Sequence, residues 1–309
     1  MSSLTIQPVV LCGGNGTRLW PVSTPDHPKQ LITLGSKTLL QRTLDRIEMI
    51  RDKTTYLFQD PILVSTQDHP GYRTIKEPFT NDTAVALLRL ALEVKDNVYF
   101  LIFPADHYIF HEEAFVHDII QGLSKVTLDN IVLYGLSPTS PESKYGYIIP
   151  SPERIAFKEK PDKETAQQYI ATGALWNSGI VLIHRKVLYE SLHHLCSWIL
   201  HPHPGKGPSF DVTVLQEYPN LTLQTCQGWA WSDVGTWESF IVLPEIMDEI
   251  KDNESTVTEK CENVTVLNRS HGKVIVIGCD DLLVIRNEHD TLIVNCKMDY
   301  NSLLKSLSQ

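Results

Sequence analysis

The sequence predicts an α/β fold, a mostly parallel sheet flanked by helices, with a small β-rich domain at the C-terminal end. Three observations point there. Short apolar runs alternate with amphipathic stretches through the first two-thirds of the chain, as in strand–helix–strand units whose crossovers cover both faces of a sheet. After about Glu249 the texture changes, and a polar run gives way to short branched segments spaced roughly ten residues apart. A chain of 309 residues, 42% hydrophobic and 21% charged, has ordinary globular composition and ample length for a core.

Residues 6–12, 62–65, 98–103 and 131–136 predict buried strands, because each is brief, rich in branched side chains and bounded by polar residues, Pro or Gly. Helices are expected over 38–50, 82–94, 112–125 and 163–172, where apolar positions recur three and four apart, with Asp82 placed to cap the second. This alternation is Rossmann-like. Beyond a polar, charged stretch at 251–262, residues 264–267, 274–277, 282–285 and 292–294 predict short strands, compatible with a solenoid rung or a small barrel. Residues 299–307 predict a closing helix, and 200–208, rich in Pro, Gly and His, a surface loop. The domain division expected is 1–250 and 251–309.

Twenty-seven Lys and Arg against 37 Asp and Glu give a net charge of −10, which makes nucleic acid or an anionic membrane a poor partner. Any phosphate site must therefore be local. No apolar run reaches the roughly 18–20 residues of a bilayer span, and the start lacks a signal-peptide pattern, so a cytoplasmic location is expected. The six cysteines are widely spaced with no CxxC pair, so reduced structural thiols are expected rather than disulfides or a zinc ribbon.

The first predicted strand ends at Cys12 and runs into Gly13-Gly14-Asn15-Gly16-Thr17-Arg18-Leu19-Trp20-Pro21. Glycines let backbone N–H groups converge on an anion and let a ligand ring approach the chain. Arg18 and the Lys29 of Pro28-Lys29-Gln30 add two cations, positioned as triphosphate ligands need to be. Neither the Walker A spacing nor Gly-x-Gly-x-x-Gly is matched. Two acids complete the pattern. Asp106, in Pro104-Ala105-Asp106-His107, lies just past a predicted strand, and Asp233 lies in Trp231-Ser232-Asp233-Val234-Gly235. A pair of carboxylates suits Mg²⁺, which binds oxygen and usually takes one or two protein carboxylates plus substrate phosphates. Taken singly, each acid reads as a cap or turn residue more readily than as a metal ligand.

The segment from Gly13 to Pro21 followed by Pro28-Lys29-Gln30, with Pro-x-Asp-His and Trp-x-Asp-x-Gly, resembles the signatures of sugar-1-phosphate nucleotidyltransferases. The Leu-Trp-Pro and Pro-Lys-Gln elements are similar to those of their mannose-1-phosphate guanylyltransferase branch. The resemblance implies the nucleotide-diphospho-sugar transferase fold. It implies nucleotide binding by Cys12, Gly13, Gly14, Gly16, Thr17, Arg18, Asp82 and Asp106, catalytic roles for Arg18, Lys29 and Lys160, and Mg²⁺ on Asp106 and Asp233. Tyr145-Gly146-Tyr147-Ile148, Phe157-Lys158-Glu159-Lys160-Pro161 and Trp176-Asn177-Ser178-Gly179 look like the family's sugar-phosphate half-site. Gly146, Glu159 and Asn177 would read the sugar, and Lys160 its phosphate.

The substrates so implied are GTP and mannose 1-phosphate. A phosphate monoester, with its second pKa about 6, is largely dianionic at neutral pH and attacks without a general base. The resemblance covers nearly the whole chain and stops before the isomerase extension that some members carry. Where the family reads Arg-Asn, this chain has Asn81-Asp82, Ser143-Lys144 replaces Thr-Gly, and Thr24 replaces an arginine. These changes touch base and sugar choice more than reaction type. Action on another sugar phosphate or nucleotide, and a non-catalytic regulatory subunit, stand as alternatives. A metal hydrolase built on His193, His194, His201 and His203 is the remote one, since their spacing matches no HExxH site. A homodimer is the expected assembly.

Overall fold

A computed structural model describes residues 4–13, 17–77, 83–200 and 207–300. Its contacts group the chain into two compact units, each discontinuous in sequence: residues 1–13, 43–105 and 109–231 in the first, and 14–42, 106–108 and 232–309 in the second.

The first unit is built on a mixed, mostly parallel sheet of ten strands among the described residues. Its order is Ala156–Lys158, Tyr147–Ile149, Leu175–His184, Tyr99–Pro104, Thr5–Leu11, Ile62–Ser65 and Arg73–Lys76. Ile131–Leu136 branches from Leu175–His184 and carries Leu221–Cys226, while Leu57–Phe58 pairs with the start of Thr5–Leu11. At the centre Val9 is parallel to both Ile62 and Ile102. Val9, Val10, Leu63, Val64, Phe100 and Leu101 are all buried, which explains their unbroken apolar runs: both faces of a parallel sheet are covered.

The sheet turns antiparallel in its second half, where Leu175–His184 pairs with Tyr99–Pro104, Tyr147–Ile149 and Ile131–Leu136. A register shift between Asn177 and Val181 coincides with Gly179 at φ 74°, a bulge that re-aims the adjacent side chains. The helices fall close to expectation: Leu39–Asp52, Thr83–Glu93, Glu112–Leu123 and Lys163–Ala171. Asp162 caps the last by accepting from the Thr165 N–H at 2.8 Å. Asp82, expected to cap the second, lies outside the described residues.

Helix packing is close at Gly122, where a Cβ would fall 2.3 Å from the Tyr134 hydroxyl oxygen and 2.5 Å from its ring. Tyr134 is fully buried and has nowhere to move. Gly122→Ala is expected to destabilise by about 1–3 kcal/mol through overpacking, outweighing the gain of roughly 1 kcal/mol that alanine ordinarily brings inside a helix. A denaturant midpoint that rises in the variant refutes this packing.

The second unit carries the C-terminal strands. Thr256–Glu259 pairs in parallel with Val274–Ile277, and Glu262–Asn268 with Asp280–Arg286, each with residues eighteen positions on. Thr291–Asn295 then returns antiparallel to Asp280–Arg286. Stacked parallel rungs define a short solenoid turn, and the polar run 251–262 contributes one of its strands. Main-chain pairing organises that strand, whose side chains are largely exposed. Asp299 and Tyr300 are not helical, and the rest of the closing helix expected over 299–307 lies outside the described residues, as do 201–206 of the loop. No helix among the described residues is long and apolar enough to cross a membrane.

Candidate active site

In the second unit, three distant stretches of sequence meet at Lys29. This residue opens a short 3-10 turn, Lys29–Leu31, behind Pro28. Its ammonium donates to Asp106 Oδ2 at 2.7 Å and to the main-chain oxygen of Asp233. The Lys29 side chain is only 11% exposed and that of Asp106 33%. Burial alone raises the Asp106 carboxyl, but the Lys29 charge, nearby His107 and hydrogen bonds together bring it below its ordinary value. The segment bearing Asp106 is tied down by Tyr108, whose hydroxyl donates to Glu245 at 2.9 Å. Arg42 donates to the same Glu245 at 2.5 Å.

The Asp233 turn is shaped by backbone. Val234 sits at φ 45°, a left-handed conformation unusual for a β-branched residue. A Cβ at Gly235 would lie 2.6 Å from Asp233 Oδ2, so glycine leaves the carboxylate its room. The loop after Arg18 is held from the far end of the chain: Asn287 donates to the Pro21 carbonyl at 2.8 Å. Arg18 itself is exposed within the turn Thr17–Leu19. Gly14, Gly16 and Asp82 lie outside the described residues, as does the Thr17 side chain.

The first unit holds a separate set. Cys12 is buried, with its N–H bonded to Val64 O at 2.8 Å, and the next residue, Gly13, is exposed. A Cβ on Gly13 would meet Glu77 Oε1 at 2.7 Å, so Glu77 closes over the glycine. Gly146, Glu159, Lys160 and Asn177 come together as a group. Asn177 N donates to Gly146 O at 2.8 Å. A Cβ on Gly146 would meet Phe157 at 2.6 Å and Glu159 Oε2 at 2.8 Å. Lys160, at φ 45°, pairs with Glu159.

Two members of this group were not legible in the sequence. Gln216 Oε1 accepts from the Glu159 N–H at 3.0 Å, and Asp211 Oδ1 accepts from Asn177 Nδ2 at 3.4 Å. Burial, reinforced by Glu159 and opposed by Lys160, pushes the Asp211 carboxyl up to about 6. In sequence, Ser209-Phe210-Asp211 looks like an ordinary acid at a helix start, and only the fold reveals its neighbours. Tyr145 packs against Trp176 and Trp231 at 5.1 and 4.9 Å between ring centroids, an aromatic wall beside Gly146 in the chain. Among the described histidines, His193 and His194 are exposed, and no three metal-binding side chains gather anywhere in the described residues. His201 and His203 lie outside them.

Cys12 and Gly13 follow the parallel strand Thr5–Leu11, and Asp106 follows Tyr99–Pro104, within two residues, the position at which open α/β sheets carry their ligands. Glu159 follows the antiparallel edge strand Ala156–Lys158, and Asp233 a strand of a separate two-stranded ribbon. Fold and polar clusters together define an α/β protein with polar loops at the ends of its strands. The sequence profile of the nucleotidyl transferase family matches residues 7–249, and the chain belongs to that family. It is 30% identical to a mannose-1-phosphate guanylyltransferase of Salmonella montevideo, over 98% of this chain and 74% of the relative. A mannose-1-phosphate guanylyltransferase of Escherichia coli is also 30% identical, over 96% of this chain and 73% of its own. The crystal structure of a Thermus thermophilus protein described as mannose-1-phosphate geranyltransferase superposes with a TM-score of 0.75 at 26% identity, covering 98% of both chains.

Proposed function

We propose that this nucleotidyltransferase joins GTP to mannose 1-phosphate, giving GDP-mannose and pyrophosphate in the cytoplasm. The observation that carries the reading is the meeting of Lys29, Asp106 and Asp233, two acids and a lysine that the sequence motifs single out. The names of the relatives support the choice of base and sugar. The division into a catalytic domain over 1–250 and a small β-rich domain over 251–309 belongs to the same proposal.

Mg²⁺ is the cofactor this reading requires. The donors are of the right chemistry: the Asp106 carboxylate is bonded to Lys29, the Asp233 main chain accepts from the same ammonium, and the two side-chain carboxylates match in number what Mg²⁺ takes from protein when phosphates supply the rest. Bound there, it would neutralise charge on the triphosphate. Arg18 and Lys29 hold the phosphates and stabilise the departing pyrophosphate. Gly13 lets the nucleotide approach the backbone. Glu159 and Asn177 fix the sugar through its hydroxyls, and Lys160 leaves Glu159 to hold the sugar phosphate. A sugar-phosphate oxygen forms the new bond to the α-phosphorus as the bond to pyrophosphate breaks, with no proton to remove.

The test is a matrix of four nucleoside triphosphates against mannose, glucose and heptose 1-phosphates, read as pyrophosphate release with Mg²⁺. GTP with mannose 1-phosphate is expected to turn over best and to stop on chelation. A different best pair reassigns the substrates, which Asn81 and Asp82 make worth checking. Binding of GDP-mannose with no turnover of any pair makes the chain a nucleotide-sugar sensor instead.

A further inference from the structure

The eighteen-residue repeat of the C-terminal strands extends to the corners between them. Glu259 pairs with Ile277 before the corner, and Glu262 with Asp280 after it. Within the corner, Lys260 and Gly278 are both left-handed, at φ 56° and 63°, and just beyond it Asn263 and Asp281 are again alike, at φ 51° and 57°. The two corners are also bonded to each other. The Gly278 N–H donates to the Glu259 carbonyl at 2.9 Å, the Glu262 N–H to Asp280 Oδ1 at 2.7 Å, and Asn263 Nδ2 to Asp281 Oδ1 at 2.9 Å. Cys261 and Cys279 hold the same place in these corners, bracketed on both sides by paired residues, and so stack one rung apart.

The thiols share an orientation as well. Each donates to the carbonyl two residues earlier, Cys261 to Glu259 at 3.3 Å and Cys279 to Ile277 at 3.5 Å. The Cys261 sulfur also lies 3.4 Å from the Val276 carbonyl oxygen on the neighbouring rung, so it already reaches across the gap. Paired strands run about 4.8 Å apart, which brings the two Cα atoms within the roughly 4.4–6.8 Å that a disulfide spans. Both residues are partly exposed, and Cys12 and Cys226 are buried. We propose that Cys261 and Cys279 form a reversible disulfide site, closed by exchange with a small-molecule disulfide such as oxidised glutathione. One cysteine, as thiolate, attacks a sulfur of that disulfide, forms a mixed disulfide and expels one glutathione thiolate. Side-chain rotation then brings the second cysteine onto the protein sulfur of the mixed disulfide, and its attack forms the Cys261–Cys279 bond and expels the other glutathione. The two protein thiols give up two electrons and two protons, and the glutathione disulfide is reduced to two thiols.

The test incubates the native full-length protein with oxidised and reduced glutathione in graded ratios, quenches with acid, blocks the remaining thiols and maps linked peptides by mass spectrometry. Wild type is expected to yield a peptide joining Cys261 to Cys279, with an intact mass lower by about two daltons, and to return to the dithiol in excess reduced glutathione. Cys296→Ser is expected to leave the link unchanged, although Cys296 is the exposed cysteine. Cys261→Ser should instead retain one glutathione on Cys279, with no neighbour to expel it, and Cys279→Ser one on Cys261, so the test survives if one variant fails to fold. A link from either residue to Cys296 in wild type overturns the proposal. So does glutathione held on Cys261 and Cys279 at once with no bond between them, or the absence of any reaction at ratios that modify Cys296.

Discussion

Asp106→Asn is expected to lower kcat/KM by roughly a hundred- to a thousandfold, the usual size of losing one preorganised electrostatic group at a reacting centre. The substitution keeps shape and removes charge. Lys29, 11% exposed and bonded at 2.7 Å, then faces a neutral amide, and one of the two acids assigned to Mg²⁺ is gone. A higher Mg²⁺ concentration should be needed for half-maximal rate. The pair also gives stability a defined pH dependence. Because the Asp106 carboxyl lies below its ordinary 3.8 in the folded chain, its contribution is complete above that value and fades as pH falls through the lower folded one. The melting difference between wild type and variant should therefore be present at neutral pH and shrink in strong acid. A loss of activity below tenfold removes Asp106 from the centre.

Gly146→Ala is the second large effect. The new methyl would lie 2.6 Å from Phe157 Cζ and 2.8 Å from Glu159 Oε2. Phe157 is 4% exposed and locked in the core, so Glu159 is the side chain that gives way. KM for mannose 1-phosphate is expected to rise tenfold or more, about what two misplaced hydroxyl contacts cost. KM for GTP should change little. Overpacking should also cost about 1–3 kcal/mol of stability. An unchanged sugar-phosphate KM dissociates Glu159 from sugar recognition.

The parts of the fold legible in the sequence were those in which a single physical signal dominates. Ile62–Ser65 and Ile131–Leu136 are short, doubly buried strands, and the helices Glu112–Leu123 and Lys163–Ala171 show apolar stripes of helical period. Leu175–His184 was missed as a strand. Its Asn177-Ser178-Gly179 reads as loop chemistry, and only the bulge lets such residues sit inside a sheet. Thr256–Glu259 was missed because main-chain pairing with Val274–Ile277, rather than side-chain burial, makes it a strand.

The candidate site divides the same way. Residues carrying a motif, such as Lys29, Asp106 and Glu159, could be named in advance because their chemistry is local to a short pattern. Asp211 and Gln216 could not. Their meaning depends on Asn177, 34 positions away from Asp211, and on Glu159, 57 away from Gln216, and no local pattern encodes such distances.

The bond from Asn287 to the Pro21 carbonyl, with that from Arg269 to the Thr33 carbonyl at 3.0 Å, gives the last rungs of the chain a grip on both flanks of Lys29. The tail is therefore a buttress rather than a passenger. Exchanging it for the end of another protein would loosen main-chain oxygens on either side of Lys29, so under the proposed function its amino acids answer to turnover as well as to folding.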